Sequence, residues 1–473
     1  MRTRDWFARG VLPGALAGLV GGLISGAALA QITALPSTAS LVRPGAAGAG
    51  VVVHLIVAAI LGAGFGVLVW HQRPGAGETL FWGLTYGALW WFLGPLTLLP
   101  LLRIGVIAWD VHSAQEAFAS LLAHLGYGAA MGLALAAIRR DPLPKDALGG
   151  RALVGVLVRG AAAGLAGAWP LVALLEPRAD GSWTPVIGLL GGVSFALLYP
   201  RPPDGTGPAL VRGMVFGFFW WALWPLTIVP LARGAGLAWS VEDARTGFSV
   251  LPGYLLFGAA VGLGVQWLDG VARLLFSDIR GGGDQEGIGT EGLRAIGRGV
   301  LAGLAGGALF TVVAVRTGFI PAAAGLVGLK SALAGVTVQV VVACAIGASY
   351  GLFFRRQSFD VSSALGWGVA YGFLWWVLGP LTLMPILLGA APQWTAEAAA
   401  ALFGSLVAHF AYGAAMGVVF HLLEARFNPW WIPRSRVEEA RVVRRREHLL
   451  TSAPALWALV VVIALTLPIL LSR

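Results

Sequence analysis

Six polar residues lie in apolar stretches of the sequence, three of them well inside a stretch and three near its outer end, where a side chain could do chemistry. They are His54, Thr184, Gln339, His124, Tyr254 and His409. Polar and ionisable groups are costly at membrane depth, so a functional role is the first hypothesis for them. We expect them to face a shared interior that passes or binds a small solute, an ion or a proton. Hydrogen bonding between neighbouring helices is the alternative.

Two of these histidines suggest a second chemistry. His54 and His124 could act as the two axial ligands of a b-type haem, although no CxxCH motif accompanies them. The sequence contains no HExxH, Walker or GxSxG pattern, which argues against a metalloprotease, an ATP-driven pump and an ordinary hydrolase. Apart from the haem option we expect no cofactor, no metal and no catalytic residue. A non-enzymatic role is favoured, and an enzyme acting on lipid is a third option.

A second group of residues recurs three times as a tryptophan pair followed by two prolines. The first copy reads "YGALWWFLGPLTLLP", and the group comprises Trp90, Trp91, Pro95, Thr97, Pro100, Trp220, Trp221, Pro225, Thr227, Pro230, Trp375, Trp376, Pro380, Thr382 and Pro385. A proline frees the carbonyl four residues earlier, which in the first copy is that of Trp91 or Leu96. We expect a non-helical rim, with Thr97 returning a hydroxyl to a freed carbonyl. Alternatively, the tryptophans are only an aromatic belt and the prolines only end helices.

The composition is that of a protein with many membrane-spanning helices. Of 473 residues, 58% are hydrophobic and 11% charged, and the mean hydropathy is +0.80. Apolar runs of about 20 residues, long enough to cross a hydrocarbon core as helix, recur along the chain. We predict thirteen transmembrane helices, near 10–30, 50–70, 79–101, 115–137, 158–176, 183–199, 210–232, 246–267, 299–316, 332–353, 364–388, 398–421 and 454–471.

Three stretches of the chain match one another. Positions 54–132 align without a gap to 184–262 and to 339–417. We call the surrounding segments repeat 1 (1–140), repeat 2 (151–276) and repeat 3 (291–428). Each is predicted to hold four helices and to start at an Arg-Gly pair, at Arg9, Arg159 and Arg298. Four is an even number, so all three repeats enter the membrane alike, and we expect parallel repeats about a pseudo-threefold axis.

The segment 429–473 has no counterpart in the repeats. It is predicted to contain an amphipathic interfacial stretch, 429–448, and a C-terminal transmembrane helix. The stretch carries Trp430, Trp431 and several arginines, which suit the headgroup region. The last helix is a candidate docking element for other membrane subunits.

The basic residues predict the orientation. The net charge is +10, but the basic residues are spread over loops, so we expect no nucleic-acid partner. If helices alternate, one side of the membrane holds 24 of the 32 Lys and Arg. That side should be the cytoplasm, with the N-terminus inside and the C-terminus outside. The first apolar run resembles a cleavable signal peptide, but "RGVLPGALAGLVGG" has an internal match in "RGVLAGLAGG", so we expect it to be retained. The single Cys344 excludes disulfides within the chain.

Caps and glycines predict how the helices end and pack. Asp110, Ser240 and Thr395 are expected to be N-caps at the start of each fourth helix. Glycines four residues apart, such as Gly128 and Gly132, are expected to allow close contact between helices.

One stretch of repeat 1 resembles a known family. The pattern Pro95-Leu96-Thr97, Pro100, Trp109-Asp110, Glu116-Ala117-Phe118 and His124 is similar to the last two helices of YagU-type bacterial inner-membrane proteins. The resemblance covers about 30 residues in each repeat, and Tyr254 replaces the histidine in repeat 2. It implies a bacterial inner membrane and adds no biochemical activity.

The sequence therefore predicts an all-α, multi-pass membrane protein in a lipid bilayer. Its leading function is to pass or bind a small solute, ion or proton near the repeat axis. The rival is a structural or accessory subunit of a larger membrane complex, in which aromatic and aliphatic side chains would fill the centre.

Overall fold

The structure is a computed structural model, and it describes the greater part of the chain. The described residues are 7–31, 47–69, 75–139, 150–175, 184–200, 205–276, 288–316, 319–355, 357–358, 360–427, 467, 469 and 471. All regular secondary structure within them is helical. The predicted all-helical class is therefore confirmed for this part of the chain.

Repeat 1 opens with a π-helical turn and continues as six α-helices. The turn is Phe7–Val11, and the helices are α1 (Leu12–Gln31), α2 (Ala47–Leu68), α3 (Ala76–Leu93), α4 (Leu99–Ile104), α5 (Val111–Glu116) and α6 (Phe118–Arg139). Helix α1 packs against α2 and α6, and α3 packs against α6. The four long helices share an apolar core that includes Phe65, Tyr127 and Met131.

Repeat 2 follows the same order. Its helices are α7 (Gly150–Leu175), α8 (Thr184–Leu198), α9 (Thr206–Leu223), α10 (Val229–Ala232), α11 (Val241–Phe248) and α12 (Leu251–Phe276). Helices α7 and α8 pack together.

Repeat 3 contains one additional short helix. Its helices are α13 (Ile288–Arg316), α14 (Phe319–Gly325), α15 (Ala332–Phe354), α16 (Val361–Leu378), α17 (Met384–Leu387), α18 (Ala396–Ala401) and α19 (Phe403–Phe427). Helix α13 packs against α15 and α19, α16 packs against α19, and the short α14 packs against α15.

Twelve of the thirteen predicted membrane helices fall on apolar helices in the described part of the chain. Ten helices there are long and apolar enough to cross a membrane, and Leu153–Trp169 and Thr184–Leu198 are shorter apolar helices. The predicted thirteenth helix, 454–471, lies outside the described residues except at three positions, and the stretch 429–448 lies wholly outside them. The total of thirteen stays a prediction, whereas the multi-pass character is clear from the ten.

Glycines bring the long helices into close contact, as predicted. A Cβ built on Gly14 of α1 would lie 2.3 Å from the carbonyl oxygen of Gly62 in α2. A Cβ on Gly83 of α3 would lie 2.1 Å from the carbonyl oxygen of Gly128 in α6. Real Cβ atoms essentially never come within 3.0 Å of another heavy atom, so any side chain at these positions would push the helices apart.

These contacts correct one alignment of the repeats. The Arg-Gly pairs match Arg9 with Arg298 in the sequence. In the structure, Gly14 of repeat 1 packs against the carbonyl of Gly62, and Gly299 of repeat 3 packs against the carbonyl of Gly347. Gly62 and Gly347 are matched positions of the two second helices. Gly14 therefore corresponds to Gly299, which places Arg9 opposite Arg294. The expected Arg-Gly match between repeats 1 and 3 is therefore wrong by one helical turn. Matched residues of these two repeats are the same distance apart in the sequence from the first helix to the fourth.

By its internal contacts the chain divides into two compact units. One unit comprises Met1–Arg201, Val215–Phe257 and Trp457–Arg473, and the other comprises Pro202–Met214 and Gly258–Leu456. The boundary falls inside repeat 2. Repeat 1 belongs entirely to the first unit and repeat 3 to the second.

Candidate functional site

The chain remains helical through each proline motif. Five-residue π-helical turns occupy Gly94–Leu98, Trp224–Ile228 and Gly379–Leu383, and each leads directly into a short α-helix. A π-helix bonds each N–H to the carbonyl five residues earlier, as the Leu99 N–H does to Gly94. This spacing carries the chain past Pro95, which has no N–H to give. The expected non-helical rim is therefore wrong.

The carbonyls of the motif find partners in the chain that follows. Pro100 has no N–H to donate to the Leu96 carbonyl, which instead accepts a hydrogen bond from the backbone N–H of Ala108 at 3.0 Å. The matching Leu226 and Leu381 carbonyls accept N–H groups at 3.1 and 2.9 Å. The threonine hydroxyl also returns to the backbone, as expected. Its acceptor, however, is the carbonyl five residues earlier, Phe92 for Thr97, and not Trp91 or Leu96.

Two tryptophans connect each motif to the chain that precedes the long fourth helix of its repeat. The threonine hydroxyls of Thr97, Thr227 and Thr382 accept indole N–H groups at 3.0, 2.9 and 3.1 Å, from Trp109, Trp239 and Trp394. The second tryptophan of each pair donates to a backbone carbonyl 26 residues farther along. The second tryptophans, Trp91, Trp221 and Trp376, are buried. They hold the fold together, and the aromatic-belt alternative does not describe them.

The first tryptophan of each pair behaves differently. The indole N–H groups of Trp90, Trp220 and Trp375 are buried, and none meets hydrogen-bond geometry with a described residue, although those of Trp90 and Trp375 lie near the hydroxyls of Tyr86 and Tyr371. In repeats 1 and 3 the ring stands edge-on to a tyrosine one turn earlier, and in repeat 2 to Phe216. A buried donor without a partner is rare enough to need an explanation.

The predicted N-caps are confirmed. Side-chain oxygens of Asp110, Ser240 and Thr395 accept backbone N–H groups at 2.9, 3.0 and 3.2 Å. They cap the short helices α5, α11 and α18, which precede the long fourth helices. The Ser113 hydroxyl and backbone N–H hold the pKa of the Asp110 carboxyl below its usual value, because both bonds stabilise the carboxylate.

In repeat 1 the two deep histidines bond to their own repeat. Nε2 of His54 lies 2.9 Å from the carbonyl oxygen of Gly22 in α1 and 3.3 Å from the Ser25 hydroxyl. Nδ1 of His124 lies 2.7 Å from the carbonyl oxygen of Ser120, one turn back along α6. These bonds match the hydrogen-bonding alternative for repeat 1.

In repeat 2 the corresponding positions are buried. Thr184 is the first residue of α8, and Tyr254 lies near the start of α12. Both side chains are less than a tenth exposed.

Repeat 3 contains a cavity at these positions. It has a volume of about 180 Å³ and lies among α13, α14, α15, the π-turn Gly379–Leu383 and α19. Its walls are almost entirely apolar and include Phe310, Phe319 and Val338. Two of the six predicted polar residues, Gln339 and His409, line it and are only 8% and 7% exposed.

Three polar groups at this cavity have uncommitted atoms. Nδ1 of His409 lies 2.7 Å from the Ser405 carbonyl, which can only accept, so Nδ1 carries the proton of the neutral imidazole and Nε2 is a free acceptor. The Gln339 amide has no hydrogen bond to any described residue. The Trp375 N–H, also at the wall, is the unpartnered donor noted above. The Tyr412 hydroxyl, by contrast, already donates to the Ala343 carbonyl at 2.9 Å.

The structure thus joins two groups that the sequence kept apart. Trp375 and Pro380 belong to the expected rim, and Gln339 and His409 to the expected path, yet all four line one cavity. Sequence reasoning missed Phe310 altogether. The corrected register shows that Phe310 corresponds to Ser25, the contact of His54, so the alignment error of one turn concealed this match.

The rest of the predicted set does not meet at that cavity. Its lining residues, as far as the chain is described, come from repeat 3, and the hydrogen bonds given above for His54 and His124 lie within repeat 1. Repeat 3 therefore supplies the candidate site.

Comparison with known proteins adds no relative. No protein-family model matches the chain, and no curated protein or solved structure is significantly similar to it. The resemblance to YagU-type proteins stays a prediction from the pattern in each repeat.

Proposed function

We propose that this multi-pass membrane protein binds a small neutral solute in the repeat 3 cavity. The observation that carries the proposal is a mostly apolar space of about 180 Å³ bordered by three uncommitted polar groups. An apolar cavity of about 150 Å³ holds benzene, so this one suits a molecule of about that size or slightly larger. Buried polar groups normally find partners, and a ligand would supply them here.

The walls argue against an ion as the ligand. A charge enclosed by Phe310, Phe319 and Val338 would lose its hydration and gain little in return. No described Asp, Glu, Lys or Arg lines the cavity. We therefore narrow the expected ligand from a solute, ion or proton to a neutral solute.

We further propose that the three repeats form the pseudo-threefold ring expected from the sequence. Gly77 at the start of α3 packs on the ring of Tyr199 after α8, and a Cβ built on Gly77 would lie 2.4 Å from that ring. Gly207 at the start of α9 packs on the ring of Phe354 at the end of α15, and a Cβ built on Gly207 would lie 2.3 Å from that ring. Both are contacts between matched positions, from the third helix of one repeat to the second helix of the next. A rotation relating successive repeats would produce such contacts.

The proposed location is a bacterial inner membrane with the N-terminus in the cytoplasm. It rests on the uneven distribution of basic residues between loops and on the resemblance described above.

A structural or accessory subunit is the second candidate. The bond from His54 to the Gly22 carbonyl supports it, because that histidine acts as a link between α1 and α2. The tryptophan and threonine network, present in all three repeats, also serves stability.

A cavity-filling substitution separates these candidates. Val338→Phe places an aromatic ring in the cavity, whereas Val341→Phe places the same ring on the exposed face of the same helix. Thermal unfolding in lipid nanodiscs is followed while the neutral probe 4-methylanisole is added. A ligand that binds only the folded state raises the unfolding temperature with its concentration.

We expect the probe to stabilise the wild type and Val341→Phe equally, and Val338→Phe much less. The Val341→Phe control cancels any general effect of the probe on the lipid. Equal stabilisation of all three proteins would place the effect outside the cavity and refute the proposal.

A further inference from the structure

The uncommitted polar groups of the cavity differ in what they offer. Nε2 of His409 can only accept in the neutral imidazole, and the Trp375 indole can only donate. The Gln339 amide can do both. A hydroxyl group, which has one proton and two lone pairs, can satisfy an acceptor and a donor at once. An ether or a ketone could serve only the donors.

The cavity walls carry several aromatic rings. Phe310 stands edge-on to the His409 imidazole with centroids 5.0 Å apart, and edge-on to Phe319 at 5.5 Å. Trp375 and Tyr412 complete the aromatic part of the lining. Aromatic groups favour edge-to-face and offset contacts with one another, so a flat ring fits such walls.

Apolar side chains border the cavity on its exposed side. Val342, Leu383 and Leu387 line it and are 41%, 42% and 71% exposed. In a membrane-spanning protein, exposed aliphatic side chains of this kind suit the hydrocarbon of the bilayer. A ligand would therefore reach the cavity from the lipid phase and needs to be soluble there.

From these three features we infer that the ligand is a neutral, lipid-soluble ring compound with a hydroxyl group, a phenol or a quinol. Its hydroxyl donates to Nε2 of His409 and accepts from the Trp375 N–H or the Gln339 amide, while its ring lies against Phe310 and Phe319. This inference rests on the proposed function and names the ligand class of the same cavity.

Three small methyl-substituted aromatic probes test the inference. These are 4-methylphenol, whose hydroxyl donates and accepts; 4-methylanisole, whose oxygen only accepts; and toluene, which does neither. Dissociation constants are measured for each in nanodiscs by ligand-observed NMR and corrected for partition into empty nanodiscs. A hydrogen bond worth about 1.4 kcal/mol corresponds to a tenfold change in affinity. We expect 4-methylphenol to bind the wild type about tenfold more tightly than 4-methylanisole.

Matched variants assign the preference to His409. His409→Leu removes the acceptor, and we expect the phenol and the ether to bind this variant with similar affinity. His124→Leu makes the same change at the matched position of repeat 1 and should keep the tenfold preference. Gln339→Leu, with Thr184→Val as its counterpart in repeat 2, supplies a second pair should His409→Leu fail to fold.

The outcomes separate the inference from the proposed function. Equal binding of phenol and ether by the wild type overturns the hydroxyl assignment and leaves a cavity for neutral solutes. Absence of binding by all three probes overturns both. A preference that survives in His409→Leu and Gln339→Leu overturns the inference, because it would arise elsewhere in the protein. A hydroquinone probe then distinguishes a phenol from a quinol as the ligand: tighter binding than 4-methylphenol indicates a quinol.

Discussion

Replacing Thr382 by valine should destabilise the protein more than the same change at the matched Thr97. Thr382 lies between two partners, since its hydroxyl donates to the Val377 carbonyl at 2.7 Å and accepts the Trp394 indole N–H at 3.1 Å. Valine has nearly the shape of threonine but no hydroxyl, so both bonds are lost. Trp394 is only 2% exposed, and its N–H then has no route to water.

The expected cost follows from burial. Leaving one buried polar group unpaired costs about 1–3 kcal/mol, and we expect Thr382→Val to fall in that range. In repeat 1 the same network includes Trp109, which is 61% exposed, so its N–H can bond to water or to lipid headgroups. Thr97→Val should therefore cost only about 0.5–1 kcal/mol, the net value of an ordinary hydrogen bond.

The assay is equilibrium unfolding in mixed micelles, with the free energy of unfolding measured for both variants. Thr382→Ser keeps the hydroxyl and serves as the control for the lost methyl group. In a Trp394→Phe background Thr382→Val should cost less than in the wild type, because the N–H it would strand is already gone. Equal costs at Thr97 and Thr382 would refute the reasoning, since burial alone distinguishes the two positions.

Two further predictions concern the ends of the helices and the side of the membrane. The Asp110 carboxyl has a lowered pKa in the folded protein, so its contribution to the stability of α5 is present above the usual aspartate pKa of about 3.9 and is lost as the pH falls through the lower folded value. Amide hydrogen exchange of α5 should show this loss in the wild type but not in Asp110→Asn, whose cap does not titrate; a pH-independent difference between the two would contradict the prediction. In a Cys344→Ala background, Lys145→Cys should react with a membrane-impermeant thiol reagent only from the cytoplasm and Ile107→Cys only from outside, because basic loops stay inside. Reaction of residue 145 from outside would reverse the whole orientation.

Periodicity and composition were enough to predict the helices. Twelve predicted spans coincide with apolar helices because runs of about 20 apolar residues have few other stable states in lipid. The N-caps and the close glycine contacts were also predictable, since both depend on local chemistry. Asp110 needs only a nearby backbone N–H, and Gly62 needs only the absence of a side chain.

The π-helical turns were not predictable from the rule that proline breaks helices. That rule considers the lost N–H of Pro95 but not the distant groups that make up for it. The Ala108 N–H, from the chain after the motif, satisfies the Leu96 carbonyl. A helix with its prolines compensated in this way can widen by one residue and continue.

The cavity was hidden for a different reason. Its polar members, Gln339 and His409, stand out in an apolar sequence, but its walls do not. Phe310 and Phe319 look like any other apolar residues, and only packing shows that they leave a space between them. A one-turn error in the alignment of α1 with α13 then removed the clue that Phe310 replaces Ser25.

The three repeats differ where a ligand would bind and agree where the fold is held together. The hydrogen bonds of the proline motif use the same residue types each time, a threonine between a tryptophan indole and a helical carbonyl. The positions matching the cavity do not: repeat 1 has Ser25, His54 and His124, repeat 2 has Thr184 and Tyr254, and repeat 3 has Phe310, Gln339 and His409. In repeat 1 a serine in place of phenylalanine lets the histidine reach α1 and bond there. In repeat 3 the phenylalanine offers no such partner to Gln339 and His409, and this difference supports the proposed ligand site.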